Sequence, residues 1–246
     1  MTDFHVIIPS HLKSKRLPEK ALAEIDGLPM IVHVARRCKL SRAKSVTVAT
    51  CDHRIHWVCK SFEIKTVNTS ELHKCGTDRL NEACEALGMD KDGIIVNVQG
   101  DEPFVEPEWI NKVSEFINKN KNFSSCIPWQ YLNDYKNKNR VKVTTSGDRI
   151  IGMSRYDIPY EYGGEVGLKK HLSVLGFRRS ILNDFASNGT GQLEKIEGIE
   201  MMRLLEMGEP IGTFRIDGSS LSVDTPEDLE IARTLMKSDF LKWKYI

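Results

Sequence analysis

Four cationic side chains follow the first apolar segment of the chain. The stretch VIIPSHLKSKRLPEKAL places Lys13, Lys15, Arg16 and Lys20 in a short loop directly after a buried-strand pattern. In an open α/β sheet, the loop that leaves the carboxyl end of the first strand borders the ligand crevice, where basic groups commonly bind phosphate. We therefore expect this loop to bind a polyphosphate.

Two acidic side chains could bind a metal ion for such a ligand. Asp101 follows the apolar run IIVNV in the motif QGDEP, and Asp224 follows an extended segment in the motif VDTPEDL. Mg²⁺ favours one or two carboxylates together with phosphate oxygens, and two carboxylates could clamp a phosphoryl group on one cation or two. Each aspartate could instead simply begin a turn or a helix. The occurrence of both favours a magnesium site.

A third motif, HKCGTDRL, leads into a predicted helix through Cys75, Gly76 and Thr77. Glycine permits close backbone approach, and free N–H groups at a helix start suit an anion or the hydrogen-bonding edge of a base. An ordinary helix cap is the alternative, because a motif of this kind most often has that role.

Composition excludes several classes of protein. The 246 residues are 40% hydrophobic and 28% charged, with a formal net charge of +1, which argues against a general attraction to nucleic acid or membrane. The segment MTDFHVIIPS lacks the features of a signal peptide, and no run approaches the roughly 20 apolar residues of a membrane span. Six cysteines without a C-x-x-C motif predict reduced thiols rather than a zinc site. We expect a cytoplasmic protein with no membrane span.

The order of apolar runs predicts an α/β fold. Strand patterns such as HVIIP, SVTVAT and GIIVNV alternate with helical patterns such as PMIVHVARRCKL and GTDRLNEACEALG. This alternation predicts a three-layer, mostly parallel sheet with helices on both faces. Short extended pieces then predict a small antiparallel section. We expect a single domain over residues 1–246, with an antiparallel excursion at about 124–170.

The last third of the chain returns to longer elements. The stretch KKHLSVLGFRRSILNDFA predicts a strand leading into a helix, and QLEKIEGIEMMRLLEMG predicts one amphipathic helix that ends at Gly208. A final helix is predicted after VDT, with Pro226 near its first turn.

These motifs, in this order, resemble those of the 3-deoxy-manno-octulosonate cytidylyltransferases, or CMP-Kdo synthetases. The family patterns S-x-R-L-P-G-K-P-L and S-G-T-[DE]-R-L correspond to SKRLPEKAL and CGTDRL, while N-[VL]-Q-G-D-E-P and V-D-T-P-E-D-L correspond to NVQGDEP and VDTPEDL. Four further stretches are similar to family motifs: NRVKV, GMSRYDIPY, KKHLSVLGFRR and IEGIEMMRLLEMG. The resemblance covers nearly the whole chain. It implies a divergent member of the family with a fold of the nucleotide-diphosphosugar transferase type.

The resemblance also implies roles for individual residues. Arg16 and Lys20 would hold the phosphates of CTP, and Asp101 and Asp224 would hold Mg²⁺, which makes these four the implied catalytic residues. The rest of the implied CTP site is Ser10, His11, Cys75, Gly76, Thr77 and Gln99. The implied sugar-acid site is Gln99, Lys142, Arg155, His171 and Glu200. As alternatives, His171 could be an interior histidine, and Glu200 could pair with Arg203 on a helix.

The reaction implied by the resemblance is attack by the anomeric hydroxyl of a 2-keto-3-deoxy sugar acid on the α-phosphate of CTP, with release of pyrophosphate. Catalysis would come from positioning, Mg²⁺ and the two cations rather than from covalent chemistry. The product would supply lipopolysaccharide or capsule synthesis. A homodimer is also implied, with the segment from about 124 to 170 as the contact.

The sequence departs from the family motifs at four sites, the last of which contains two changed residues. His11 stands where the family has arginine, Glu19 where it has glycine and Cys75 where it has serine, while Ser173 and Leu175 replace a glycine and a tyrosine. The changes at Ser173 and Leu175 suggest a shifted substrate, such as an amino-substituted octulosonate. The changes at His11, Glu19 and Cys75 keep open an alternative, a catalytically inactive CTP-binding sensor or partner subunit.

Overall fold

The computed structural model describes residues 3–132, 134–164, 167–218 and 220–246 of the chain. In these ranges the strands are β1 (Phe4–Pro9), β2 (Glu24–Ile25), β3 (Leu28–Pro29), β4 (Ser45–Thr50), β5 (Lys65–Asn68), β6 (Ile94–Val98), β7 (Ser125–Cys126), β8 (Trp129–Leu132), β9 (Lys142–Ser146), β10 (Arg149–Ser154), β11 (Leu168–His171), β12 (Val174–Arg178) and β13 (Ile211–Gly212). The α-helices are α1 (Met30–Lys39), α2 (His53–Ser61), α3 (Gly76–Ala86), α4 (Pro107–Lys119), α5 (Arg179–Asn188), α6 (Gln192–Glu197), α7 (Met202–Glu206) and α8 (Pro226–Met236). Short 3-10 helices cover Lys20–Leu22 and Leu241–Lys244.

The centre of the molecule is an eleven-stranded sheet in the order β5-β4-β1-β6-β12-β7-β13-β10-β9-β11-β8. The first four strands of this order are parallel, so their carboxyl ends lie along one edge. β1 has a partner on each side, with Val6 opposite Val46 and Val96. A strand with two neighbours and two covered faces must be apolar throughout, which explains the uninterrupted run in β1.

The antiparallel section continues the same sheet. β12 pairs antiparallel with β6 and joins the two halves. Beyond it, β10, β9, β11 and β8 each run antiparallel to the next. The predicted α/β fold, with a parallel sheet between helical layers and an added antiparallel section, is confirmed.

The hydrophobic core lies on both faces of the sheet. Val6 and Ile8 belong to a buried cluster with side chains from α1, α2 and α4, whereas Ile7 belongs to a cluster with side chains from α3 and α5. This alternation follows from the period of two in a strand. Among the helices of the described ranges, none is long and apolar enough to cross a membrane.

Two predicted elements are divided in the structure. The segment predicted as one helix ending at Gly208 forms α6 and α7, because Gly198 after α6 has a left-handed φ of 62° and donates its N–H to the Glu194 carbonyl at 2.8 Å. The predicted strand before α5 is the pair β11 and β12, with Leu172 between them bonded to the Pro128 carbonyl. In both places the apolar pattern continues across the break.

Candidate active site

The predicted cations and carboxylates meet at the carboxyl edge of the parallel strands. Lys20 lies in the loop after β1, and its Nζ is 2.6 Å from Asp101 Oδ2 and 2.8 Å from Asp224 Oδ1. Asp101 follows β6, the neighbour of β1 in the sheet. Lys20 Nζ also donates to the Val223 carbonyl at 3.1 Å. The structure thus brings Lys20, Asp101 and Asp224 to one point.

The start of α8 leaves the Asp224 carboxylate available to this cluster. Thr225 is the N-cap, and its hydroxyl accepts a hydrogen bond from the Asp228 N–H at 3.2 Å. The Asp228 carboxylate in return accepts from the N–H groups of Asp224 and Thr225 at 3.1 and 3.0 Å. Because Thr225 and Asp228 form this capping box, Asp224 is not needed as a cap.

Arg16 adds a second cation on the same carboxylate. Its Nη2 lies 2.9 Å from Asp224 Oδ1, and its Nη1 donates to Asn139 Oδ1 at 2.9 Å. Asn139 belongs to the loop before β9, so the Arg16 guanidinium contacts residues from two distant segments of the chain, Asn139 and Asp224.

Electrostatic interactions within the cluster favour the charged forms of Lys20 and Asp224. Burial lowers the pKa of the Lys20 ammonium, but attraction to Asp101 and hydrogen bonds to both carboxylates outweigh burial and raise that pKa above its ordinary value. Burial raises the pKa of Asp224, yet the hydrogen bond and charge of Lys20, with Arg16 nearby, bring it below its ordinary value. The ion pair between Lys20 and Asp224 is therefore the stable state near neutral pH.

The carboxylates of Asp101 and Asp224 suit a magnesium ion whose remaining ligands come from the substrate and water. In the described part of the chain, no three His, Cys, Asp or Glu side chains converge as a metal site of their own. Asp101 and Asp224 supply carboxylate oxygens that already approach one cation, the Lys20 ammonium. Neighbouring Glu102 is buried and accepts from the Ser222 hydroxyl instead. Two carboxylates without further protein ligands fit Mg²⁺, which commonly takes phosphate oxygens and water for the rest.

Two small adjoining clefts open beside the cluster. The first, of about 70 Å³, is lined by Ser10, His11, Lys20, Gln99 and Asp101, among others. The second, of about 180 Å³, is lined by His11, Cys75, Gly76, Gln99 and Glu200, among others. His11 and Gln99 border both clefts. Most of the residues predicted for CTP therefore line one or both of these clefts, whereas Arg16 and the buried Thr77 line neither.

The amino end of α3 is held by Glu200. The Glu200 carboxylate accepts from the N–H groups of Gly76 and Thr77 at 3.1 and 3.0 Å and from the Thr77 hydroxyl at 2.8 Å. The Cys75 sulfur accepts from the Asp78 N–H at 3.5 Å, as the hydroxyl of a serine cap would. Burial, first of all, raises the pKa of the Cys75 thiol well above its ordinary value, so the thiol stays neutral.

Arg203 does not pair with Glu200. Its guanidinium bonds to Glu194 through Nε at 2.7 Å and Nη2 at 2.8 Å, and to Asp78 through Nη1 at 2.7 Å. Because Asp78 lies in the first turn of α3, Arg203 joins α3 to α6 and α7. The helix pair considered from the sequence is therefore replaced by two longer-range contacts.

Glu19 and His11 lie in the loop between β1 and the 3-10 helix that begins at Lys20. Glu19 has a left-handed φ of 58°, and its carboxylate forms an ion pair with Arg54 of α2. The His11 ring accepts from the Lys13 N–H at 3.0 Å. The pKa of His11 lies below its ordinary value, because desolvation disfavours the imidazolium and Arg79 and Lys20 add positive charge nearby.

Three residues predicted to contact the sugar acid lie together outside the two clefts. Lys142 is fully buried and donates to the carbonyls of Asn137 and Arg155, both at 2.7 Å, with Asp157 Oδ1 at 3.2 Å. Arg155 donates to the carbonyls of Lys138, Glu197 and Gly198 at 2.7–3.0 Å. His171 Nδ1 lies 3.1 Å from the Leu172 carbonyl.

These contacts identify a residue that the sequence reasoning missed. Lys142 and Arg155 hold the backbone of residues 137–138, and the next residue, Asn139, reaches Arg16. Asn139 begins the stretch NRVKV, which was the available signal. The loop at 137–139 therefore connects the predicted sugar-acid residues to the predicted phosphate residues.

Comparison with known proteins identifies the family. A family model described as Cytidylyltransferase matches residues 5–211. The chain belongs to this family. A 3-deoxy-manno-octulosonate cytidylyltransferase from a Nitratiruptor species is 37% identical over 236 residues, covering 92% of this chain and 96% of that protein. One from Neisseria meningitidis serogroup A is 38% identical, covering 97% of this chain and 100% of that protein. The predicted family is confirmed.

Solved structures agree with this family. A structure described as CMP:2-keto-3-deoxy-manno-octonic acid synthetase complexed with CTP has a TM-score of 0.90 at 30% identity, covering 96% of this chain and 99% of that chain. A cytidylyltransferase from Leptospira borgpetersenii has a TM-score of 0.68 at 16% identity, covering 98% of this chain and 89% of that chain, which shows the shared fold alone. The predicted enzyme class, nucleotidyltransferase, is confirmed.

Proposed function

We propose that this cytidylyltransferase joins CMP from CTP to the anomeric hydroxyl of a 3-deoxy-manno-octulosonate-type sugar acid and releases pyrophosphate. The observation that carries the proposal is the convergence of Lys20 and Arg16 with Asp101 and Asp224 at the edge where ligands bind in such sheets. The names of the relatives and the CTP complex of the similar structure support the same substrates.

Each group of the cluster has a distinct role in the proposed reaction. Asp101 and Asp224 would hold Mg²⁺, which when bound would neutralise phosphate charge and make the attacking hydroxyl more acidic. Lys20 and Arg16 would bind triphosphate oxygens and stabilise the charge that develops on the departing pyrophosphate. Phosphoryl-type transfer depends mainly on positioning and electrostatic stabilisation and requires little covalent chemistry from the protein, which is consistent with a site made of these charges.

The two clefts support a direction for the nucleotide. The cleft beside Lys20 would receive the phosphates, and the cleft lined by Cys75 and Gly76 would receive the cytidine. A Cβ at position 76 would lie 3.4 Å from Pro9 Cγ and 3.6 Å from the Gln99 amide, so the glycine keeps this cleft open.

The sugar is proposed to be a modified octulosonate. Leu175 lies directly opposite Asn97 in the β12–β6 pairing, and within the described part of the chain the buried Asn97 amide has no hydrogen-bond partner. Gln99 lies two residues further along and therefore on the same face of the sheet. The family motif has tyrosine at position 175, so the change to leucine removes a hydroxyl from the region beneath Gln99. Such a change supports a shifted sugar preference.

The test is pyrophosphate release with CTP, UTP, ATP and GTP in the presence of Mg²⁺, across a panel of 2-keto-3-deoxy sugar acids that includes amino-substituted octulosonates. We expect release with CTP and one or a few of these acids.

Asp101→Asn and Asp224→Asn should each abolish turnover, whereas Asp92→Asn, at the opposite end of β6, should not. Undiminished rates in the first two variants would refute the metal assignment. CTP binding without release across the whole panel would favour a sensor instead.

The active form is proposed to be a homodimer in contact through the segment from about 124 to 170. In this segment Tyr131, Tyr135, Tyr156, Tyr160 and Tyr162 are all more than half exposed. Tyrosine is enriched in protein interfaces, which supports a contact here. Sedimentation velocity of the native protein distinguishes a dimer from a monomer.

A cytoplasmic location and a single domain over residues 1–246 are also proposed. All six cysteines are free thiols, as expected in a reducing compartment. The product would be consumed in lipopolysaccharide or capsule synthesis.

A further inference from the structure

The Lys20 ammonium lies where a metal ion would contact both carboxylates. Its Nζ donates to Asp101 Oδ2 at 2.6 Å, to Asp224 Oδ1 at 2.8 Å and to the Val223 carbonyl at 3.1 Å. An ammonium has three N–H donors, so all of them are engaged. The Lys20 side chain is 15% exposed and the two carboxylates about a quarter exposed, so little water screens these contacts.

The charges of the cluster balance. Asp101 and Asp224 together carry two negative charges, and Lys20 with Arg16 carries two positive charges within 3 Å of their oxygens. A divalent cation carries the same charge as these two side chains. Mg²⁺ could therefore replace Lys20 and Arg16 on the carboxylates without changing the net charge. If it entered while Lys20 remained between the carboxylates, two cations would compete for the same oxygens in a poorly screened site.

We propose that Lys20 is an internal substitute for the metal ion and exchanges places with it when CTP binds. This inference rests on the proposed function. In the nucleotide-free protein the ammonium holds Asp101 and Asp224 together. In the loaded protein the carboxylates bind the metal, and the flexible lysine stem carries the ammonium to the triphosphate.

The exchange couples metal binding to nucleotide binding. If the metal bound alone, Lys20 and Arg16 would lose their carboxylate partners and gain no phosphate. If the nucleotide bound alone, Lys20 and Arg16 would leave the carboxylates for the phosphates, and the two carboxylates would have no cation. Each ligand therefore increases the affinity for the other, by the same factor in both directions. The coupling would restrict metal binding to the moment when a triphosphate is present.

The test measures Mn²⁺ binding to the nucleotide-free protein by electron paramagnetic resonance, comparing wild type with Lys20→Met and Lys20→Gln. Both substitutions remove the ammonium and keep an unbranched stem. We expect each variant to bind Mn²⁺ about tenfold or more tightly than wild type, because the competing cation is gone. Mn²⁺ should also raise the thermal unfolding midpoint of the variants more than that of wild type. Two substitutions are used so that a folding failure of one, detected by circular dichroism, leaves the comparison intact.

Lys15→Met is the matched control. It removes the same charge from the same loop, but Lys15 is exposed and lies outside the carboxylate cluster. Its Mn²⁺ affinity should stay within about twofold of wild type, because exposed charges act weakly at a distance. Adding Asp101→Asn to Lys20→Met should remove the gained affinity, which assigns the gain to this site.

The outcomes separate this proposal from the proposed function. Equal Mn²⁺ affinity in wild type and both Lys20 variants overturns the exchange, and CMP transfer by the wild-type protein then shows that the proposed reaction is intact. Tighter Mn²⁺ binding by the variants supports the exchange, and a wild-type protein that releases no pyrophosphate with any substrate overturns the proposed reaction.

Discussion

Glu19 precedes Lys20 in the chain, yet its carboxylate points to Arg54 at the start of α2. The φ of 58° at Glu19 lies in the region that favours glycine, the residue of the family motif. The chain thus keeps the backbone shape of a glycine and turns the added side chain away from the loop. The departure from the family motif at Glu19 therefore has a local structural explanation.

We predict that Glu19→Gly leaves kcat/KM for CTP within about twofold of wild type, since the carboxylate does not face the phosphate cleft. Steady-state pyrophosphate release measures this. Arg54→Ala is the matched control, because it removes the same ion pair from the other side. A tenfold change in either variant would mean that the pair shapes the loop.

Single residues differ in how far their sequence reveals their contacts. Lys20 and Asp101 were predicted to lie at one edge of the sheet, because each follows a strand pattern and the carboxyl ends of parallel strands share an edge. Asp224 was predicted as the second metal carboxylate after an extended segment, although no strand of the described ranges lies between β13 and α8. The contacts of Glu200 with Gly76 and Thr77 join segments more than 120 residues apart. A local sequence pattern cannot predict a contact between segments so far apart in the chain, so this contact is known only from the structure. The predicted roles of these residues in ligand binding stay predictions.

The pH dependence of stability should depend on His171. Burial of its ring lowers the pKa of His171 from 6.5 to about 4. Between these values the unfolded chain binds more protons than the folded chain, so stability falls as the pH decreases from 6.5 towards 4. In the His171→Asn variant, the decrease in the free energy of unfolding over this pH range should be smaller than in wild type by about 2 kcal/mol. Urea denaturation at pH 7, 5.5 and 4.5 measures it.

The control for that series is His53→Asn, at an exposed position on α2. This variant should keep the slope of the wild-type protein. If His171→Asn lowers the free energy of unfolding by the same amount at every pH, the loss reflects packing. The test of the lowered pKa is therefore the slope of the free energy of unfolding against pH. An unchanged slope in His171→Asn would contradict the lowered pKa.

At the scale of elements, helix boundaries were predicted correctly where a capping residue and the spacing of apolar residues indicate the same boundary. α2 begins after Asp52, whose carboxylate accepts from the Arg54 N–H at 2.8 Å, and α8 begins at Pro226 as its sequence indicates. The segment of α6 and α7 was predicted as one helix, because buried side chains such as Leu204 continue the helical pattern past Gly198. Glycine is tolerated inside helices, so a local pattern does not show that the backbone turns there.

The packing of α4 on the sheet depends on a glycine in β12. A Cβ at Gly176 would lie 2.7 Å from Val113 Cγ1 and 3.0 Å from Ile117 Cγ1, both on α4. Gly176→Ala should therefore destabilise the protein by about 2 kcal/mol, because the helix must shift away from the strand. Chemical denaturation measures the loss. Gly152→Ala in β10 is the control, since a Cβ there meets no atom within 4 Å and the expected change is about 0.5 kcal/mol or less.

At the scale of the whole molecule, the C-terminal segment ties distant parts of the chain together. Arg37 of α1 has a side chain that is 1% exposed, and its Nη1 donates to both carboxylate oxygens of Asp239 at 2.9 Å. The same guanidinium bonds to the Val105 carbonyl at 2.8 Å and to Glu106 at 3.0 Å, just before α4. No local sequence pattern predicts this junction, because Arg37 and Asp239 lie near opposite ends of the chain.

Asp239→Asn should destabilise the protein by about 3 kcal/mol, because it leaves a buried guanidinium without its main counter-charge. Asp217→Asn is the control: it breaks an ion pair with Arg215 in which both side chains are more than half exposed, and should cost less than about 1 kcal/mol. A loss below about 1 kcal/mol in Asp239→Asn would show that Glu106 alone compensates the charge.

Below its unfolding temperature, Asp239→Asn should retain turnover, because the Arg37 contacts do not include the carboxylates that hold Lys20. Stability and catalysis would then separate in one variant, as expected if the C-terminal junction supports the sheet without shaping the site.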